Sequence, residues 1–433
     1  MEKIVDVLIT GGMVVTMDAQ RRVIKNGAVA IKGTNIVFVL PSDHVPQDIH
    51  AEKTIDATGM VIIPGMINAH GHMSMTLFRG LVEDLALEQW LEKVWKYELS
   101  ALGPQSVYTG SKLSVLEMIS AGITCAHDMY WHYNQTIALC EEVGFRLIAG
   151  PPVTQIGDQD MTKMLQEVED TLDTIMDKRF IIPIMQAHST YTTTPELMAK
   201  VLGYKQEHGL IFHTHASETA HEVKIVKEQY GMTPIELLKS YGLLDERSVL
   251  AHCVHLSEKD IQLMAESGTH VVHCPESNLK LGSGIADISA QVKAGINVCL
   301  GTDGAASNND LNLLGEMRTA ALLQKGFHED PTALSTQYAF EMATINGAKA
   351  FGVDDKLGSL ETGKRADIVL LDFQKPHLTP CIDVYANLVY AASKSDVHTV
   401  FIDGKMMLQA GEFLAFNVDD LMGEVQQISA SFE

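Results

Sequence analysis

The stretch Ile62-Ile63-Pro64-Gly65-Met66-Ile67-Asn68-Ala69-His70-Gly71-His72 marks a change in the character of the chain. An apolar run gives way to two imidazoles two residues apart. Side chains alternate along a strand, so both rings point to one face, where they can chelate one metal ion. Taken alone the pair reads equally well as satisfied polar core residues. Upstream, residues 4 to 62 read as short strands with turn signals between them: Val5 to Thr10, Gly11-Gly12, Met13 to Met17, Gly27 to Ile31, Gly33 and Ile36 to Leu40. Downstream, as far as Gly352, apolar strand-like runs alternate with longer helical stretches, the pattern of repeated β-α units around a parallel sheet. Strand ends fall near Asn68, Asp128, Val153, His188, Ala216, Val254, Cys274 and Asp303. Eight of them predict an α/β fold with a closed (β/α)8 TIM barrel rather than an open sheet.

Helix signals support this count. Thr194-Pro195 and Thr233-Pro234 each place an N-cap before a first-turn proline, and Thr233 with Glu236 can form a capping box. Gly122, Gly209, Gly268 and Gly295 sit where helices should stop. After Gly352 the chain returns to strand-like text at Lys364 to Asp372, Val397 to Ile402 and Lys405 to Leu408. We expect residues 1–62 and 353–433 to form one small β-sandwich built from both ends, with residues 63–352 as the barrel.

Composition bounds the partners. At 433 residues, with 46% hydrophobic and 20% charged residues, the chain has ample material for a buried core. Its 32 basic against 55 acidic residues give a formal charge of −23, which opposes nucleic acid and anionic membranes. The six scattered cysteines form no Cys-x-x-Cys pair, and the N-terminus lacks a signal-peptide pattern, so reduced thiols in a cytoplasm are expected. No apolar run reaches membrane-spanning length. The 21 methionines read as core filling.

Reactive residues of such barrels gather at the C-terminal ends of the strands. The fifth strand, Leu210 to Glu218, offers His215 and, three residues on, Glu218; His213 lies deeper and reads as a supporting or packing residue. The sixth carries His252, and the eighth ends in Asp303, which by itself could be a simple Asp-Gly turn. Four strand ends with metal-type side chains at one rim point to a shared site. Imidazoles with a carboxylate suit a borderline divalent ion such as Zn2+, with room left for water. Water beside such an ion ionises near neutral pH. Glu218 and Asp303 can share the proton traffic, and His252 can orient the nucleophile or polarise the electrophile. This favours hydrolytic attack on an electron-poor carbon.

The segments Pro64-Gly65, His70-Gly71-His72, His215-Ala216-Ser217-Glu218, Ala251-His252-Cys253-Val254-His255 and Leu300 to Asn309 resemble the amidohydrolase superfamily, over nearly the whole chain and including Leu357 to Asp367. Phe78 to Leu85 and Ser277-Asn278-Leu279-Lys280-Leu281-Gly282-Ser283-Gly284 are most similar to its methylthioadenosine/S-adenosylhomocysteine deaminases. The resemblance implies His70, His72, His215 and Asp303 as ligands of one divalent metal ion, with Zn2+ expected and Fe2+ or Mn2+ able to use the same set. It implies Glu218 as proton donor to a purine ring, Asp303 as acceptor of a proton from water, and His252 as an aid to both. It implies substrate contacts from His188 and from Glu98, the latter to ribose hydroxyls, whereas a glutamate on a helical stretch otherwise reads as a solvated surface residue. The fourth strand carries His188 and no lysine, so the carbamylated lysine of binuclear relatives is missing and a single metal is expected. The implied reaction is hydrolytic deamination of an adenosine-type nucleoside.

One departure bears on the substrate. Relatives that accept S-adenosylhomocysteine are expected to hold its carboxylate with arginines after the third strand, yet Gly150 to Met161 contains no basic residue, and Arg146 reads as fold support. A neutral 5′ substituent is therefore expected, as in methylthioadenosine, 5′-deoxyadenosine or adenosine. Triazine or other N-heterocycle hydrolases and guanine-type deaminases share this site and are the enzymatic alternatives. A catalytically dead homologue predicts missing ligands, and none is missing. A homo-oligomer is the common state of such enzymes.

Overall fold

The computed structural model describes residues 4–155, 160–430 and 432; Ile156 to Gln159, part of the segment read above for basic residues, lie outside them. Eight parallel strands run in chain order: Met66–Asn68, Ile123–Asp128, Arg146–Ala149, Ile181–Ser189, Ile211–Ala216, Ser248–His252, His270–His273 and Val298–Leu300. Every residue of Ile123–Asp128 and of Ser248–His252 is buried, as expected of strands covered on both faces. The seam between first and eighth strands is closed by the Ala69 amide donating to the Leu300 carbonyl at 2.9 Å. Just beyond, Asp303 pairs with Gly71 and Gly304 with His72 in a short parallel ladder. Asn68 and Thr302 lock it with a reciprocal pair of hydrogen bonds at 2.8 and 2.9 Å. The approach is so close that a Cβ on Gly301 would sit 2.8 Å from that of His70.

Strand ends follow the sequence reading closely, with two exceptions, of which one is the eighth, which stops at Leu300 and leaves Asp303 in the short ladder beyond it. The third strand stops at Ala149 rather than near Val153. Gly150 runs against the fourth strand, where a Cβ would meet the Ile184 carbonyl oxygen at 1.8 Å, and Pro152–Val153 then forms a separate short strand paired to Gln186 and Ala187. Helices stop as expected: Gly209 and Gly268 are left-handed C-caps, and Gly122 and Gly295 also have positive φ. Thr233 and Glu236 form the capping box.

Both ends of the chain join in one nine-stranded sheet. Its order is Glu412–Phe413, Lys405–Gln409, Val397–Ile402, Ile368–Asp372, Met60–Pro64, Ile4–Val15, Val23–Lys32 and Asn35–Pro41, with His50–Asp56 added beside Ile4–Val15. The joint is Ile368–Asp372, antiparallel to Met60–Pro64. Ile9, Val29, Ile62, Ile368, Leu370 and Phe401, from both ends, share one buried cluster. Arg146 of the third barrel strand crosses to this sheet, donating to Asp367 at 3.0 Å and to Asp403 at 3.4 Å, so it supports the fold as expected. Among the described residues no helix is long and apolar enough to cross a membrane.

Candidate active site

His70 and His72 leave the first strand on one face, and the seam ladder brings Asp303 beside them. His70 Nε2 and His72 Nε2 lie 3.5 and 3.2 Å from Asp303 Oδ1. His215 Nε2, from the fifth strand, is 3.4 Å from His72 Nε2. Four ligand atoms placed tetrahedrally about 2.0–2.1 Å from an ion would be spaced by about 3.3 Å, close to these separations.

Each ring is fixed through its other nitrogen. His72 Nδ1 donates to the Met129 carbonyl at 2.6 Å, His215 Nδ1 to the His188 carbonyl at 2.5 Å, and His70 Nδ1 is 2.9 Å from His213 Nε2. Donation at Nδ1 leaves a lone pair on Nε2 facing the centre. Among the described residues His70 Nε2 is buried with no hydrogen-bond partner. Burial depresses His70 to about 4 and His215 well below its ordinary value. On His72 burial is outweighed by Asp303, which raises it to about 9. Asp303 itself is held low by His70 and His72 against its burial. The cluster therefore has a place for one positive charge between Asp303 and the imidazoles, and its donors fit a divalent ion.

Glu218 lies beside this cluster. Its Oε2 is 3.7 Å from His252 Nε2, its Oε1 accepts from Ser283 at 3.3 Å, and burial raises its carboxyl to about 7. Ser217, His252 and Asp303 have φ of +52°, +73° and +60°, so three strand ends carry left-handed non-glycine backbone at the site. Such strain persists only where the surroundings enforce it.

A pocket of about 800 Å³, counting its open mouth, extends from the cluster between aromatic walls that include Trp90, Trp95, Tyr130 and Tyr191. His188 lines it. Glu98, on the helix Leu87–Ala101, also lines it and is 3% exposed, not the solvated residue its helical context suggested. Its carboxylate accepts from the Tyr130 hydroxyl at 2.6 Å and the Trp131 indole at 2.8 Å. Tyr130, Trp131 and Glu222, which lines the pocket and accepts from the Glu218 amide at 2.7 Å, went unread in the sequence because only their contacts reveal them. His127 also went unread, although a histidine one residue before the second strand's end was a visible signal. It packs against His213, their ring centroids 4.1 Å apart, and shares a 2.9 Å hydrogen bond with Gln186. His213 is buried beneath His70, as read.

A (β/α)8 barrel with such a histidine–aspartate cluster at its carboxyl rim defines a metal-dependent hydrolase. The chain belongs to the amidohydrolase family, whose model matches residues 61–407. It is 42% identical over 409 residues to a 5-methylthioadenosine/S-adenosylhomocysteine deaminase of Moorella thermoacetica, covering 93% of this chain and 94% of the relative. It is 41% identical over 411 residues to a 5′-deoxyadenosine deaminase of Methanothermobacter thermautotrophicus, covering 94% of each. An adenosine deaminase from Xanthomonas campestris with bound zinc superposes with a TM-score of 0.97 at 34% identity, over 100% of this chain and 99% of that one.

Proposed function

We propose that this chain is a metal-dependent aminohydrolase that converts an adenosine-type nucleoside to its inosine analogue and ammonia. The observation that carries this reading is Glu218, a carboxyl held near neutrality between a histidine–aspartate cluster and an aromatic pocket, in a chain about 40% identical to nucleoside deaminases.

One divalent ion, expected to be Zn2+, would be held by His70, His72, His215 and Asp303 and would supply Lewis acidity that makes a water nucleophilic near neutral pH. The chain's own groups do the rest. Glu218 donates its proton to the ring nitrogen beside the amino-bearing carbon, which makes that carbon electrophilic. Asp303 accepts the proton released by the attacking water and passes it to the departing amino group, which leaves as ammonia, while the hydroxyl proton left on the carbon returns to Glu218 as the carbonyl forms. His252 Nε2 faces Glu218 and assists the movement of its proton. Glu98 accepts from ribose hydroxyls, and His188 contacts the substrate from the fourth strand. The aromatic walls exclude bulk water.

The pocket's acidic lining and the absence of lysine or arginine from it among the described residues support a neutral 5′ substituent. Methylthioadenosine, 5′-deoxyadenosine or adenosine are then preferred over S-adenosylhomocysteine. We further read the chain as a cytoplasmic enzyme acting on diffusible small molecules, with residues 63–352 as catalytic domain and 1–62 with 353–433 as the composite β-sandwich.

The test is ammonia release and ultraviolet change with metal-quantified protein, across those nucleosides, S-adenosylhomocysteine, guanine and an aminotriazine. Fast turnover of the neutral 5′ nucleosides with poor turnover of S-adenosylhomocysteine is expected. Turnover of guanine or the triazine alone would overturn the substrate reading.

A further inference from the structure

Among the stretches that carry the family resemblance, Ser277-Asn278-Leu279-Lys280-Leu281-Gly282-Ser283-Gly284 has no part in the mechanism above. It starts on the short helix Pro275–Lys280 after the seventh strand, and three of its side chains reach three different strand ends. Ser277 Oγ donates to Asp303 Oδ2 at 2.6 Å. Asn278 Oδ1 lies 2.9 Å from His252 Nδ1. Ser283 Oγ donates to Glu218 Oε1 at 3.3 Å. All three residues are buried. The segment is also tied to itself and to its surroundings: the Ser283 amide donates to the Asn278 carbonyl at 2.9 Å, and His255 Nε2 donates to the Ser283 carbonyl at 2.7 Å. Gly282, at φ +67°, makes the turn between them.

We infer that Ser277, Asn278 and Ser283 are positioning residues, a single turn of chain that sets Asp303, His252 and Glu218 relative to one another. The inference rests on the roles proposed above for those three. Asp303 Oδ1 faces the imidazoles, and Ser277 with Ser307, at 2.9 Å, occupies Oδ2, so the carboxylate cannot rotate about its axis without losing two hydrogen bonds. An amide oxygen only accepts, so the Asn278 contact places the His252 hydrogen on Nδ1 and the lone pair on Nε2, toward Glu218. Ser283 holds one oxygen of Glu218 and leaves the other toward His252. Three groups from the fifth, sixth and eighth strands thus share one scaffold. A proton passed among groups so spaced is sensitive to small misplacements.

The test uses the full-length metal-loaded protein and Ser277→Ala, Asn278→Leu, Asn278→Asp and Ser283→Ala. With the best nucleoside of the panel, Ser277→Ala, Asn278→Leu and Ser283→Ala are expected to lower kcat by about 10- to 100-fold with KM and bound metal little changed. Asn278→Asp, which keeps an acceptor in place, is expected to recover most of the loss. In a His252→Ala background Asn278→Leu should cost nothing further, and Ser283→Ala should cost nothing further in a Glu218→Gln background. Equal losses in both backgrounds would show a merely structural role and overturn the inference. A second readout needs no turnover. In ¹⁵N-histidine NMR, with the signal assigned by difference against His252→Ala, His252 is expected as the Nδ1–H tautomer in the wild type and as a mixture in Asn278→Leu. An Nε2–H tautomer in the wild type sinks the inference. Silence of the wild type on every nucleoside would instead count against the proposed function, and the NMR result would still decide the positioning.

Discussion

Burial acts on His72 and Glu218 in opposite chemical senses, and their neighbours decide the outcome. Burial disfavours the charged form of each, yet Asp303 carries His72 to about 9, whereas Glu218, with only partial help from His252, is left at about 7. A proton donor at about 7 empties as pH rises. We therefore predict that kcat/KM for a neutral nucleoside falls about tenfold per pH unit on the alkaline side of that value. A profile flat from pH 7 to 9 would contradict the role. Glu218→Gln should lose about 10²- to 10⁴-fold in kcat, with its metal retained by elemental analysis. Glu98 makes a separate prediction: its carboxylate is held by Tyr130 and Trp131. The wild type should favour adenosine over 2′,3′-dideoxyadenosine, and Glu98→Ala should lose that preference chiefly through KM. Equal preference in the two proteins would remove Glu98 from the ribose site.

At the scale of the element, what could be read in the sequence was what repeats with a period or ends with a signal. His70 and His72 lie two apart on a strand, Thr233 precedes a proline, and Gly209 follows a helix. The third strand was misplaced because the apolar text continues through Pro152-Val153, while the constraint that ends the strand is the contact of Gly150 with Ile184, which no local pattern records. Glu98 was ambiguous for the same reason, since its helix turns it toward Tyr130 and Trp131 from a strand end more than thirty residues away. Short elements can also be decisive for stability. Asp396 closes the turn Lys394–Asp396 before the strand Val397–Ile402. Burial pushes its carboxyl up, but hydrogen bonds from Lys375, His377 and Ser393 outweigh it and hold it below its ordinary value. A depressed carboxylate contributes stability above its unfolded pKa and loses it as pH falls through the folded one. Asp396→Asn should therefore lower Tm at pH 7, with the gap from wild type closing below about pH 4, read by thermal melts across pH.

On the scale of the molecule, barrel and terminal sheet are joined through Arg146, buried between Asp367 and Asp403. Arg179 and Arg365 also pair with Asp403, but Asp367 would be left buried without its cation, so Arg146→Leu should cost about 3–5 kcal/mol in urea unfolding. A cost within that of an ordinary surface substitution would show that the sheet is held by its apolar contacts alone. The barrel seam carries a further consequence. Asn68 and Thr302, which lock it, are 234 residues apart, and the proposed metal ligands straddle the same closure. During synthesis His70, His72 and His215 leave the ribosome well before Asp303 exists, so until Asp303 emerges the nascent chain presents only a partial ligand set. Loading of the ion is then a late event, coupled to closure of the barrel. Because Asn68 and Thr302 fasten the seam without the ion, a cell short of the metal would accumulate closed, full-length chains rather than stalled fragments.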